Sequence, residues 1–226
     1  MGVRIHPIQL GLDRVYVLKG QGVVLIDGGA PKQIDNFLKG LEDVSIEPRE
    51  VKLIVITHGH WDHIASARDI KDLTGAKIAM HHREKDGLEK PLKLNPPGVT
   101  AWGRILSKAV DILILPLVRI PPAEVDLVLD DGEFSLAEYG VPGTVIPSPG
   151  HSSGSVSVLL ETGEAFVGDL AMNALPLRLS PGLPIFAEDT QKLRESWQML
   201  LDRGAKTVYP AHGDPFPVEI IREALA

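Results

Sequence analysis

Val51-Lys52-Leu53-Ile54-Val55-Ile56-Thr57-His58-Gly59-His60-Trp61-Asp62-His63 is the stretch on which the fold turns. Its first six residues are mostly β-branched and apolar, the composition of a buried strand. Directly after them His58, His60, Asp62 and His63 crowd into six positions. Imidazole nitrogen and carboxylate oxygen are the usual ligands of zinc and related divalent ions. A loop leaving a strand can splay four such groups toward one point, which a regular helix cannot do. The stretch therefore predicts a metal-bearing strand-to-loop junction.

Upstream, residues 3–10, 14–19 and 22–26 read as three short strands. Gly11-Leu12-Asp13 and Gly20-Gln21-Gly22 supply the turns between them. Asp27-Gly28-Gly29 ends the third strand, and Pro31 opens a helix whose buried stripe is Ile34, Phe37, Leu38 and Leu41. Downstream, 64–73 reads as a helix stopped by Gly75, and 76–80 as a strand.

Residues 83–124 interrupt this rhythm. Trp102, Ile105, Leu106, Ala109 and Leu113 share one helical face, and Arg104, Ser107, Lys108 and Asp111 the other. The expectation is an apolar insertion that packs on the core, caps the metal site or supplies a dimer surface through 101–118.

The second half returns to strands at 125–129, 143–146, 155–160, 164–167 and 206–209, with helices over 189–201 and 218–225. Three more candidate ligands stand at strand ends: His151 in Pro149-Gly150-His151-Ser152, Asp169 in Val167-Gly168-Asp169, and His212 in Ala211-His212-Gly213-Asp214. Each has glycine close by, which permits close backbone approach. His81 and His82 follow a strand and precede Arg83-Glu84, so they read as loop residues outside any site. Tyr16, Tyr139 and Tyr209 are each conceivable oxyanion donors.

The chain has 226 residues, a net charge of -7 and no cysteine. That length suits one domain, 1–226, with the insertion at about 83–124. The acidic balance argues against nucleic acid as a partner. Without cysteine there is neither a thiolate ligand nor a Cys nucleophile. No apolar run is long enough to span a bilayer and no signal-peptide pattern is present, so a cytoplasmic protein acting on a small molecule is expected.

The motifs Thr57-His58-Gly59-His60-Trp61-Asp62-His63, Pro149-Gly150-His151-Ser152-Ser153-Gly154-Ser155, Gly168-Asp169 and Ala211-His212-Gly213-Asp214-Pro215, with Leu25-Ile26-Asp27-Gly28-Gly29 before them, resemble those of the metallo-β-lactamase-fold hydrolase superfamily. The resemblance covers nearly the whole chain and implies an α/β fold, a four-layer α/β/β/α sandwich. It implies a binuclear site with His58, His60 and His151 on one ion. Asp62, His63 and His212 would hold the other, with Asp169 bridging both. Asp27 would stand behind the ligand loop and orient it. Two divalent ions, zinc in the first place with iron or manganese as options, would hold a bridging hydroxide as nucleophile, and Asp62 could also relay a proton.

Within the superfamily, the ligand pattern is shared with glyoxalase II-like thioesterases and quorum-quenching lactonases, which points to a small ester, thioester or lactone. Only 14 residues follow His212, which leaves little room for a glutathione-binding extension. Two alternatives remain: a mononuclear iron oxidoreductase resembling persulfide dioxygenases, and hydrolysis of a phosphodiester or phosphotriester.

Overall fold

A computed structural model describes residues 2–226. In chain order its strands are β1 (Arg4–Leu10), β2 (Asp13–Lys19), β3 (Val23–Ile26), β4 (Val51–Val55), β5 (Lys77–His81), β6 (Leu127–Leu129), β7 (Phe134–Ser135), β8 (Gly143–Pro147), β9 (Val156–Leu160), β10 (Glu164–Asn173), β11 (Thr207–Gly213) and β12 (Phe216–Pro217). The helices are α1 (Ile34–Asp43), α2 (Trp61–Ile64), α3 (Ala67–Thr74), α4 (Lys85–Glu89), α5 (Ala101–Ala109), α6 (Thr190–Asp202) and α7 (Glu219–Leu225).

The strands form two six-stranded sheets, ordered β1-β2-β3-β4-β5-β6 and β12-β11-β10-β9-β8-β7. In the first, β3 to β6 run parallel. In the second, only β10 and β11 do. Each central strand is buried on both faces. Val15 and Val17 of β2 and Val23 and Leu25 of β3 face α1 and α3. Their neighbours Tyr16, Leu18, Val24 and Ile26 face the other sheet, against Val145, Val158 and Phe166. A third cluster packs Ala165, Val167 and Val208 under α6 and α7. The result is the expected α/β/β/α sandwich. Burial on both sides explains why these strands read as unbroken apolar runs rather than alternating ones.

Helix ends follow local chemistry. Asp189 caps α6 by accepting the N–H groups of Gln191 and Lys192 at 2.9 and 3.0 Å. Trp197 of α6 is fully buried, and its indole N–H donates to the Leu170 carbonyl at 2.9 Å. Gly75, at φ +73°, ends α3 in the left-handed conformation.

Two expectations are corrected. The helix read over 64–73 is two pieces, α2 and α3, broken at Ala65-Ser66. Strands β10 and β11 run past residues 167 and 209 to Asn173 and Gly213, because they pair with each other in parallel with irregular register around Gly168. Asp169 and His212 therefore lie within paired strands rather than beyond them.

For α5 the sequence left three placements open. Of the apolar face read from the sequence, Trp102, Ile105 and Leu113 are exposed rather than packed on the core. The helix buries Gly103 and Ser107 instead. A methyl on Gly103 would come 2.3 Å from the Ile185 carbonyl oxygen, so close backbone approach decides the orientation. Ser107 donates its hydroxyl to the Pro96 carbonyl. Leu106, half-buried, packs with Leu177 on the small cluster of Met172, Ile185 and Phe186. A π-helical turn over Val110–Ile114 follows.

Candidate metal centre

The centre lies at the edge of the sandwich where β3, β4, β10 and β11 end their runs. Five imidazoles and four carboxylates converge there, all buried except Asp62, whose side chain keeps partial contact with solvent. His58, His60 and His151 form one group of ligand atoms lying within 4.8 Å of one another, and Asp13, Asp62, His63 and His212 form a second. Asp169 stands between them. Its Oδ1 is 3.4 Å from both His63 Nε2 and His212 Nε2, and its Oδ2 is 3.6 Å from His151 Nε2. All seven expected ligands are thus brought to one edge.

Contacts behind the rings decide which nitrogens stay bare. The Thr57 hydroxyl donates to Asp27, so it can accept from His58 Nδ1 at 3.0 Å and leave Nε2 free. Asp27 accepts the Thr57 N–H at 2.7 Å and takes His63 Nδ1 at 3.0 Å. His151 Nδ1 donates to the Phe186 carbonyl at 3.0 Å. His212 Nδ1 faces the Leu12 carbonyl and Asp13 Oδ1, each at 3.3 Å. His60 is the exception: its Nδ1 points to His151 Nε2, 2.9 Å away. Four Nε2 atoms and one Nδ1 therefore aim inward. His58 Nε2, His63 Nε2 and Asp169 Oδ1 are buried without any hydrogen-bond partner. Buried polar atoms are rarely left so, and this donor set matches a divalent cation.

Electrostatics divides the centre in two. Burial first, then the neighbouring imidazoles, hold His58 and His60 well below the ordinary histidine range. Burial also lowers His151. In the other group, burial opposes protonation of His63, but Asp169 and Asp27 outweigh it and raise its pKa well above 6.5. His212 is raised to about 10 in the same way, by Asp169 and Asp13 against burial. Burial, with Asp62 nearby, raises the Asp13 carboxyl well above its usual range. The first group is thus neutral and ready to ligate, while the second holds protons that a cation would displace.

Asp13 and Thr57 have no role in the sequence reading. Asp13 opens an apolar strand as a lone turn residue, which is a faint signal. Thr57 belongs to the quoted motif and acts as the relay between Asp27 and His58. Among the tyrosines, Tyr16 is committed, since its hydroxyl donates to the Pro210 carbonyl at 2.6 Å. Tyr139 lies by Gly22, where β3 begins, at the end of that strand away from Asp27. Tyr209 stacks on Phe166 between the sheets. His81 is buried, contrary to the loop reading, while His82 is exposed.

The family model of the metallo-β-lactamase superfamily matches residues 14–212. YflN of Bacillus subtilis, named a probable metallo-hydrolase, is 22% identical over 236 residues, covering 98% of this chain and 88% of its own length. Two solved structures share the fold. A metallo-β-lactamase family protein, TTHA1429 from Thermus thermophilus, superposes with a TM-score of 0.70 at 20% identity, covering 99% of this chain and 78% of that one. TTHA1623, solved in a di-iron-bound form, superposes with a TM-score of 0.66 at 21% identity, covering 95% of each chain. With the convergent His and Asp cluster already in view, these matches settle the family: the chain belongs to the metallo-β-lactamase superfamily and is a metal-dependent hydrolase.

Proposed function

We propose that the centre is binuclear and that the protein hydrolyses a small ester, thioester or lactone. The observation that carries this reading is Asp169, whose two oxygens face different imidazole groups. In the proposal His58, His60 and His151 hold one ion, Asp62, His63 and His212 hold the other, and Asp169 contacts both.

Two divalent ions there would supply an activated water near neutral pH and polarise the scissile carbonyl oxygen. The protein's own groups do the rest. Asp27 and Thr57 fix the tautomers of His63 and His58. Asp62, the most exposed of the seven, is placed to pass a proton toward solvent. The apolar side chains of Trp102 and Leu106 lie on the helix that packs over Phe186, the residue whose carbonyl orients His151. That proximity supports an acyl-bearing substrate.

Zinc is the proposed metal, with iron the nearest alternative because TTHA1623 was solved with two irons. A single-iron oxidoreductase would leave His63, His212 and Asp62 without an ion to bind. The test is metal analysis of the natively expressed protein, followed by assays on lactones, thioesters and phosphodiesters. Two ions with turnover of a carbonyl substrate are expected. One iron with oxygen consumption, or turnover of phosphodiesters alone, would overturn the reading.

A further inference from the structure

Glu84 belongs to none of the motifs above. It follows the His81-His82-Arg83 turn and precedes α4, where the insertion begins, yet it is 3% exposed. Its Oε2 accepts the Gly59 N–H at 2.8 Å, and its Oε1 accepts the Gly154 N–H at 2.8 Å. Gly59 lies between His58 and His60. Gly154 lies three residues beyond His151. One buried carboxylate thus grips an amide from each of the two loops that supply the first group of imidazoles, and the two loops leave different sheets.

Both glycines are needed for that grip. A methyl on Gly59 would come 2.9 Å from Glu84 Oε2, and one on Gly154 would come 2.7 Å from Glu84 Cγ and 2.8 Å from His81 Nδ1. The helix behind is equally close, since a methyl on Gly87 would come 2.8 Å from the Gly59 carbonyl oxygen. His81 is locked in turn. Its Nδ1 accepts the Arg83 N–H at 3.2 Å, and its Nε2 faces Asp131 at 3.4 Å. A second tie joins the same loops, the Val156 N–H to the Thr57 carbonyl at 2.9 Å. The loops are therefore already in contact, and Glu84 sets the spacing at the ligand end.

We propose that Glu84 is a positioning residue that fixes His58 and His60 against His151 and so determines the affinity of the first metal site. The proposal rests on the binuclear reading above. A carboxylate is suited to it because both oxygens accept. A glutamine of the same shape accepts at one end and presents its NH₂ to the other amide.

The test compares wild type, Glu84→Gln and Glu84→Ala for stepwise zinc affinity, by competition with a chromophoric chelator. His151→Ala and His212→Ala serve as references that assign each step to a site. The first-site affinity should fall roughly 10- to 100-fold, the range seen when groups behind metal ligands are removed, with Gln milder than Ala. The second step should be unchanged, and the cobalt-loaded first site should show an altered visible spectrum. A folded Glu84→Gln protein that binds both ions as wild type does would overturn the proposal. If Glu84→Gln does not fold, Gly154→Ala carries the same comparison from the other side. Wild type that binds only one zinc, at the first site, would overturn the binuclear reading while the Glu84 comparison on that step still stands or falls by itself.

Discussion

Asp13 lies behind His212, its Oδ1 3.3 Å from the ring Nδ1, while the ring's other nitrogen faces Asp62 and Asp169. Asp27 stands in the same relation to His63. Both imidazoles of the second group are thus backed by a buried carboxylate. In the first group His58 and His151 are backed by neutral oxygens, from Thr57 and Phe186. A carboxylate behind an imidazole makes it a stronger ligand and fixes its tautomer. Asp13→Asn keeps the shape and removes the ionisable carboxyl. It should weaken the second metal step by about 10- to 100-fold and leave the first unchanged. Stepwise affinities equal to wild type would show that Asp13 does not act through His212.

The proton content of the two groups leads to a pH prediction. His212 is raised to about 10, above its unfolded value near 6.5. Its contribution to the stability of the metal-free protein is therefore complete below about pH 6.5 and is lost as pH rises through about 10. The Tm of the metal-free protein should fall between about pH 6.5 and about pH 10, and loading with zinc should flatten that fall. At about pH 8 the second zinc should release protons from its imidazoles and the first should not, because His58, His60 and His151 are already neutral there. Titration calorimetry in two buffers of different ionisation enthalpy measures both steps. Equal release at each step would contradict the division.

Much of this architecture was legible because two strong signals coincide. Strands buried on both faces must be apolar throughout, so β2 to β5 announce themselves. The ligands sit in turn-rich, glycine-flanked segments where polar side chains are conspicuous. What escaped depends on partners distant in sequence. Asp13 is buried by packing near Asp62 and His212, and nothing beside it signals that environment. Glu84 reads as one charge among Arg83, Lys85 and Asp86 until the two ligand loops close over it. The face of α5 departs from its pattern for a related reason. Apolar periodicity measures which side can gain by burial, but Gly103 allows a backbone approach that no hydrophobic pattern registers.

Asp169 supplies a direct test of the binuclear reading. Its carboxyl is held well below the ordinary range: burial pushes it up, but the charges on His212 and His63 overcome that push. Asp169→Ala should lose at least one ion per chain and most activity, measured by elemental analysis and initial rates. Its metal-free form should also lower the pKa of His212, visible in the imidazole proton resonances. A fully loaded, fully active Asp169→Ala protein would remove the bridging role.

Under the proposed function, the insertion would separate substrate contact from support of the metal edge. Trp102 is about half exposed, and its indole N–H donates to the Pro176 carbonyl at 2.9 Å, so the ring is oriented while still open to solvent. Leu106 instead packs on the cluster of Met172, Ile185 and Phe186, and the Phe186 carbonyl holds His151. The two side chains should therefore fail differently. Burying an apolar side chain against an acyl chain contributes about 1.5 to 3 kcal/mol, which corresponds to about 10- to 150-fold in KM. Trp102→Ala should raise KM for long-chain esters or lactones by up to that factor and leave short-chain kcat/KM nearly unchanged. Leu106→Ala loosens the cluster that contains Phe186, so it should lower kcat for long and short chains alike and weaken metal binding at the first site. The measurement is kcat and KM across a chain-length series, with size-exclusion chromatography on the same proteins. A Trp102→Ala variant that becomes monomeric from a dimer with an unaltered substrate profile would assign the exposed face to self-association instead. A uniform loss across chain lengths for Trp102→Ala would remove it from the substrate surface altogether.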